Sequence, residues 1–144
     1  MGENSVDHEL TISGTWAPED EKLIHDSLVA YNVARFGQPE FTNIGIFLRD
    51  ADGKIEGGLI GRTGRGWLYT QLLFIPEHLR GQGLAGKLLA RAENEARARG
   101  CTGAYIDSMN PDAVAAYQKY GYEIAGGVGP FSASNGLTWL SKKL

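Results

Sequence analysis

Apolar positions along the chain recur with two different periods, and the switches between them lay out the elements. A polar stretch over residues 1–9 reads as a frayed tail, and Leu10–Ser13 reads as a short edge strand. Pro18, followed by Glu19, Asp20 and Glu21, then marks a helix start, because a proline tolerates the first turn and acids complement its dipole. Leu23, Ile24, Leu28 and Tyr31 recur at helical spacing, and Gly37 supplies the stop. The pattern then alternates. Asn43–Arg49, Ile55–Thr63 and Trp67–Ile75 are three predicted strands, joined by tight turns at Asp52-Gly53 and Gly64-Arg65-Gly66. The continuous apolar run Leu72–Ile75 predicts burial on both faces. Helical spacing returns with Leu84, Ala85, Leu88, Leu89, Ala92 and Ala96, in a helix from about Gly83 to Arg99. Lys87, Arg91, Glu93, Glu95 and Arg97 occupy the remaining face, and Gly100 ends it. Ala104–Asp107 is a strand parallel to its predecessor across that helix, a βαβ unit. Asn110-Pro111 opens a shorter helix to Tyr120, closed by Gly121, and Tyr122–Gly127 and Leu137–Ser141 are the last strands. The predicted order is β-α-β-β-β-α-β-α-β-β, an α/β chain forming one domain over 1–144.

Composition narrows the function classes. At 42% hydrophobic and 22% charged residues over 144 positions, this is an ordinary globular composition with enough chain for a core. A net charge of −3 gives no general attraction to nucleic acid. No apolar run approaches the roughly 20 residues of a membrane span, and the polar N-terminus does not read as a secretory signal. A lone Cys101 excludes an intramolecular disulfide and suits a cytoplasmic location. The 20 glycines are dispersed, which marks turns and close backbone approaches.

The stretch LRGQGLAGKLLA, residues 79–90, satisfies three phosphate-binding patterns. Read as a nucleotide P-loop, it fails at Leu88, where Ser or Thr must hold magnesium. Read as a dinucleotide fingerprint, it has Gly81, Gly83 and Gly86, with Asp107 about 20 residues on, where a ribose-binding acid belongs. Yet Pro76–Arg80 separates the fingerprint from its strand, and that strand belongs to an antiparallel meander. The R-x-x-G-x-A pattern of Arg80, Gly83 and Ala85 uses every feature: a strand end, a proline-containing loop and glycines at a helix N-terminus, whose free N–H groups and dipole favour a diphosphate.

IPEHLRGQGLAGKLLARAENEARARGC followed by NPDAVAAYQKYGYEIAG resembles the two central motifs of the GCN5-related N-acetyltransferases. The resemblance covers about residues 42–127. It implies a mixed, mostly antiparallel sheet with flanking helices, splayed open between its central strands, the acyl-CoA N-acyltransferase fold. Acetyl-CoA would be the acetyl donor, with its pantetheine arm inserted in the split and no metal required. By position, backbone groups of Phe74 and Ile75 would pair with the arm. Arg80, Gly81, Gln82, Gly83, Leu84, Ala85 and Gly86 would hold the pyrophosphate. Asn110 would contact the arm or cap the following helix, and Tyr117 would sit near the thioester sulfur. The acceptor would be a primary amine of a small molecule or peptide, with neither nucleic acid nor membrane as partner. Members often form homodimers through their C-terminal strands.

The chemistry needs an amine freed of a proton, an N–H aimed at the carbonyl oxygen, expected on a bulged strand near Leu73–Phe74, and a proton donor for the thiolate, which a Tyr117 hydroxyl can supply. The glutamate that the family often uses as base is missing from Trp67–Ile75, where Tyr69, Thr70 and Gln71 stand instead. Gln71 or a held water can relay the proton, and Glu77, Asp107 and Glu40 are further candidates. Cys101 lacks a paired histidine in the sequence and reads as packing, and no cluster has metal-ligand spacing. Trp16, Tyr31, Phe36 and Phe41 read as core, or as walls of an acceptor cleft, which the segment 126–136 would cover. Two other classes stay open: a non-catalytic acyl-CoA sensor or scaffold, and a nicotinamide-dependent oxidoreductase.

Overall fold

A computed structural model of the chain describes residues 7–131 and 135–144. Its contacts fall into two compact units, the first ending at Gln38 and the second running Pro39–Leu144. The first holds α1 (Pro18–Phe36), which starts on a proline with Glu19, Asp20 and Glu21 in its first turn. No residue of α1 is buried. Most of the expected tail lies outside the described residues. The expected strand at Leu10–Ser13 does not form. Leu10 and Ile12 are fully exposed, and a strand exists only where another strand takes its hydrogen bonds. Trp16, Tyr31 and Phe36 are likewise exposed, not core, and Trp16 reaches Glu21 through its indole N–H.

The second unit is built on one six-stranded sheet. Its strands are β1 (Thr42–Arg49), β2 (Ile55–Gly64), β3 (Trp67–Phe74), β4 (Gly103–Ser108), β5 (Glu123–Val128) and β6 (Leu137–Lys143), in spatial order β1-β2-β3-β4-β6-β5. α2 (Leu84–Ala98) connects β3 to β4, and α3 (Pro111–Lys119) follows β4. Only β3 and β4 run parallel, and their ladder holds from Trp67↔Gly103 to Thr70↔Ile106. Beyond that rung β3 continues to Phe74 against β2, while β4 continues to Ser108 against β6. The sheet therefore splits between its central strands, as expected. The cause lies in the register: Ile60 pairs with Leu72 but Gly61 with Thr70, so Gln71 is an extra residue. Such a bulge bends and twists its strand away from the neighbour. It sits at Gln71, earlier than the Leu73–Phe74 expectation, because Gly61 permits the approach: a Cβ there would stand 2.4 Å from the Tyr69 carbonyl oxygen.

One sheet face packs on α2 and α3. Leu59, Leu68, Ala104, Ile106 and Leu140 meet Leu88, Leu89, Ala92, Ala96 and Tyr117 in a single buried cluster. The Leu72–Ile75 run is not buried throughout, since Leu72 and Phe74 are exposed while Leu73 and Ile75 pack on the core. Phe41 is exposed as well, with its ring against Gly64 and the Arg62 guanidinium 4.6 Å from its centre. Glu93, expected on the solvated face of α2, is only 3% exposed. Its position falls one turn after Leu89 and one before Ala96, so helical spacing places it in the apolar stripe. There its carboxylate accepts hydrogen bonds from Tyr122 Oη at 2.9 Å and Lys142 Nζ at 2.8 Å. Part of the segment 126–136 lies outside the described residues; of the rest, β5 takes 126–128.

Candidate active site

The chain leaves β3 through Pro76 and a short 3₁₀ turn, Glu77–Leu79, before the glycine loop. Arg80 Nε donates to the Ile75 carbonyl at 2.9 Å, which ties the loop to the end of the strand. Gly81 and Gly83 have φ of +78° and +73°, and no atom lies within 4 Å of where a Cβ would stand. Such backbone suits glycine and leaves its face open to a ligand. Gly83 is the N-cap of α2, and no side chain caps the helix. The first helical bond runs from Lys87 N to the Gly83 carbonyl, so the N–H groups of Leu84, Ala85 and Gly86 precede the ladder and have no helical acceptor. These features fit a coenzyme A diphosphate. Gly86 has a second reason to be glycine, because a Cβ would stand 2.6 Å from the Tyr120 ring. Gln82 is exposed, and Leu84 and Ala85 are half-buried at the helix entry.

Gly83→Val is expected to weaken coenzyme A binding by about 10–100-fold, measured by calorimetry. The left-handed conformation disfavours a branched residue, and one or two charge-assisted N–H contacts would be lost. Unchanged affinity would take the loop out of cofactor binding.

At the split itself, Thr70 forms the last β3–β4 rung, and its buried Oγ1 has no hydrogen-bond partner among the described residues. Asn110 caps α3, its side-chain oxygen accepting from Asp112 N at 2.9 Å, while its own N–H donates to Ser108 Oγ at 3.1 Å. This cap anchors the helix that carries Tyr117, which is 6% exposed and tilts against Tyr122. Burial, and then the charge of Asp107, push the Tyr117 phenol above its ordinary pKa. Asp107 stands one residue past the last rung and accepts a hydrogen bond from Tyr69 Oη at 2.8 Å. Of the other carboxylates considered as bases, Glu40 and Glu77 are exposed in the segments before β1 and after β3. Gln71 is exposed on the bulge. Cys101 is buried, and desolvation raises its thiol pKa, as befits packing. His78 is a surface residue 3.4 Å from Glu56. Among the described residues, no group of three potential metal ligands occurs and no helix is long and apolar enough to cross a membrane.

Burial, and then the hydrogen bond to Asp107, push Tyr69 up to about 12. Its folded pKa exceeds the unfolded value near 10. The linked stability is complete below about pH 10 and is lost as pH rises through about 12. Tyr117 and Tyr122 shift in the same direction. Urea unfolding followed from pH 8 to 12 should therefore show a steep alkaline loss, shallower in Tyr69→Phe. An equal slope in both proteins would contradict the Tyr69–Asp107 pairing.

Residues 11–122 match the model of the Acetyltransferase (GNAT) family. This chain belongs to the GNAT family. It is similar to Acetyltransferase Atu2258 of Agrobacterium fabrum, 57% identical over 125 residues, covering 87% of this chain and 91% of that one. It is also similar to Blasticidin-S acetyltransferase of Streptomyces morookaense, 38% identical over 77 residues, covering 53% of this chain and 57% of that one. Among solved structures, a crystal structure of an Agrobacterium tumefaciens protein assigned to the acetyltransferases superposes with a TM-score of 0.92 at 52% identity, covering 95% of this chain and all of that one. An acetyltransferase from Bacillus cereus shares the fold at 23% identity, with a TM-score of 0.82 over 93% of this chain and 98% of that one. This GNAT protein is therefore an acetyltransferase. Its split sheet and glycine loop occupy the stretch where the family resemblance is carried.

Proposed function

We propose that this GNAT protein moves the acetyl group of acetyl-CoA to a primary amine of a small molecule or peptide by direct attack. The observation that carries the reading is the split. The β3–β4 ladder ends at Thr70↔Ile106, which leaves strand backbone open between the uncapped head of α2 and the buried Tyr117. Acetyl-CoA supplies an activated acyl carbon: the C–N bond forms as the C–S bond breaks, and of the ammonium's three hydrogens one stays on the amide, one ends on sulfur and one leaves to solvent.

The chain's own residues hold and orient the reactants. The N–H groups at the head of α2 hold the diphosphate, with Arg80 bracing the loop from below. The Phe74 carbonyl oxygen stands beside Gly57 on β2, so that residue is turned to its strand neighbour and not to the split. Ile75 offers its N–H to the arm, because its carbonyl accepts from Arg80. Main-chain N–H groups beyond the Gln71 bulge are the candidates to face the carbonyl oxygen, where charge develops. Tyr117, with its raised pKa, keeps its proton through the working pH range and can hydrogen-bond the departing sulfur. Asp107 supplies, at the mouth of the split, the carboxylate that β3 lacks.

Thiol release from acetyl-CoA with a broad amine panel, with the acetylated product identified by mass, tests this reading. Thermal shift runs beside it, since a ligand at about a hundredfold excess over its Kd stabilises by about 2.7 kcal/mol. Coenzyme A stabilisation without turnover on any amine would favour an acyl-CoA sensor. Stabilisation by NADH and not by coenzyme A would favour an oxidoreductase.

A further inference from the structure

We infer that the acceptor is a small organic cation with a flat unsaturated ring, its ammonium on the Asp107 carboxylate and its ring on a floor of Tyr69, Tyr105 and Trp139. The inference rests on the acetyl-transfer reading of the split and names the substrate class for it.

Strand register places these groups together. Tyr69 pairs with Tyr105, and Asp107 pairs with Trp139, so all four project from one sheet face. The alternating residues Leu68, Thr70, Ala104, Ile106 and Leu140 project from the other face and are buried against the helices. The floor is continuous. The Tyr69 and Tyr105 rings stack 4.7 Å apart at 16°, and Trp139 lies 6.3 Å and 6.2 Å from them. Trp67 extends it with an edge contact to Tyr105 at 6.2 Å, its ring filling the space that a Cβ on Gly103 would take. Tyr69, Tyr105, Asp107 and Trp139 are each half-buried, so the floor is held in place yet open to a ligand.

The charge pattern selects the occupant. Among the described residues, the hydrogen bonding of Asp107 involves only Oδ1, held by Tyr69, which leaves Oδ2 for a donor. A carboxylate oxygen accepts from an ammonium, and ring faces attract a cation. Beyond Arg49, which lies over Phe47 on the edge strand β1, the cations on this face of the sheet among the described residues are Arg62, across from Tyr69 on β2, and Lys143, across from Gly103 on β6. Arg62 and Lys143 stand at the sides of the floor away from Asp107, and Arg62 is stacked on Phe41. They steer a second positive charge toward Asp107. A nitrogen held there lies one residue past the last rung of the ladder, at the opening where the thioester would lie. The effect of Asp107 on the Tyr117 phenol puts that carboxylate within electrostatic reach of the candidate proton donor.

The test compares 2-phenylethylamine, hexylamine and phenylalanine as acceptors by thiol release. 2-Phenylethylamine is expected to exceed hexylamine in kcat/KM by about 5–10-fold, since ring stacking adds to burial. It should exceed phenylalanine by about 10-fold or more, because the α-carboxylate would be held beside Asp107. Asp107→Asn should raise KM for 2-phenylethylamine about 10-fold or more while leaving coenzyme A binding unchanged. Trp139→Leu should bring the ring preference close to one. A preference for hexylamine or phenylalanine, or an unmoved KM in Asp107→Asn, overturns the inference. The wild-type comparison stands even where a variant fails to fold. Turnover on a lysyl peptide but on no arylalkylamine overturns the inference alone and leaves acetyl transfer in place. No thiol release with any amine overturns both.

Discussion

Tyr117→Phe is expected to lower turnover by about 10²–10⁴-fold, the usual span for a positioned acid or base, with coenzyme A affinity changed by less than about twofold. The substitution removes one oxygen and keeps the ring. That ring is buried, packs against Tyr122 and belongs to the core cluster, so the helix and its contacts survive. The lost group is a phenol kept protonated by burial and by the negative field of Asp107. A neutral phenol beside a departing thiolate stabilises charge that appears only as the C–S bond breaks. Its removal should therefore act on kcat and leave ground-state binding alone. Steady-state kinetics with acetyl-CoA and an active amine, paired with calorimetric binding of coenzyme A, separate the two. A fall in affinity with unchanged kcat would move Tyr117 from chemistry to packing.

Lys142→Met is expected to destabilise the fold by about 3 kcal/mol, at the low end for breaking a buried ion pair, and to lower Tm by about 10 °C. The Glu93 carboxylate lies in the core between α2 and β6, and its two hydrogen-bond donors are Lys142 Nζ and Tyr122 Oη. Lys142 also donates to the Tyr120 carbonyl at 2.9 Å, so a single ammonium ties together α2, the end of α3 and the last strand. Methionine keeps the stem and its packing but leaves a buried carboxylate with one neutral donor. The double variant Glu93→Leu with Lys142→Met removes both charges and should recover much of the loss. A single variant as stable as the parent would show that the pair contributes nothing net.

Much of the architecture was legible from local pattern. The three-strand meander, both helices of the second unit and the closing strand pair follow from periodicity and turn residues that act over a few positions. The loop over Arg80–Gly86 was legible for the same reason, because its glycines and the helix start after them are neighbours in the chain. Leu10–Ser13 misled, since an alternating apolar tetrapeptide says nothing about whether a partner strand is present to pair with it. Glu93 misled because charge was weighed above spacing, although its interval from Leu89 and Ala96 placed it inward. Asp107 was noticed for its distance from the loop, but its Tyr69 partner stands 38 positions away, and nothing local connects them.

Residue order alone was enough to specify a glycine-lined helix entry, a βαβ unit and the family motifs, because each arises from interactions within one turn or one hairpin. Where the sheet divides, which carboxylate is buried, and which rings share a face with Asp107 were decided only by folding. Those properties depend on strand register and on a bulge set by the close approach of Gly61 to Tyr69, and contacts between distant segments arise only when the sheet has closed.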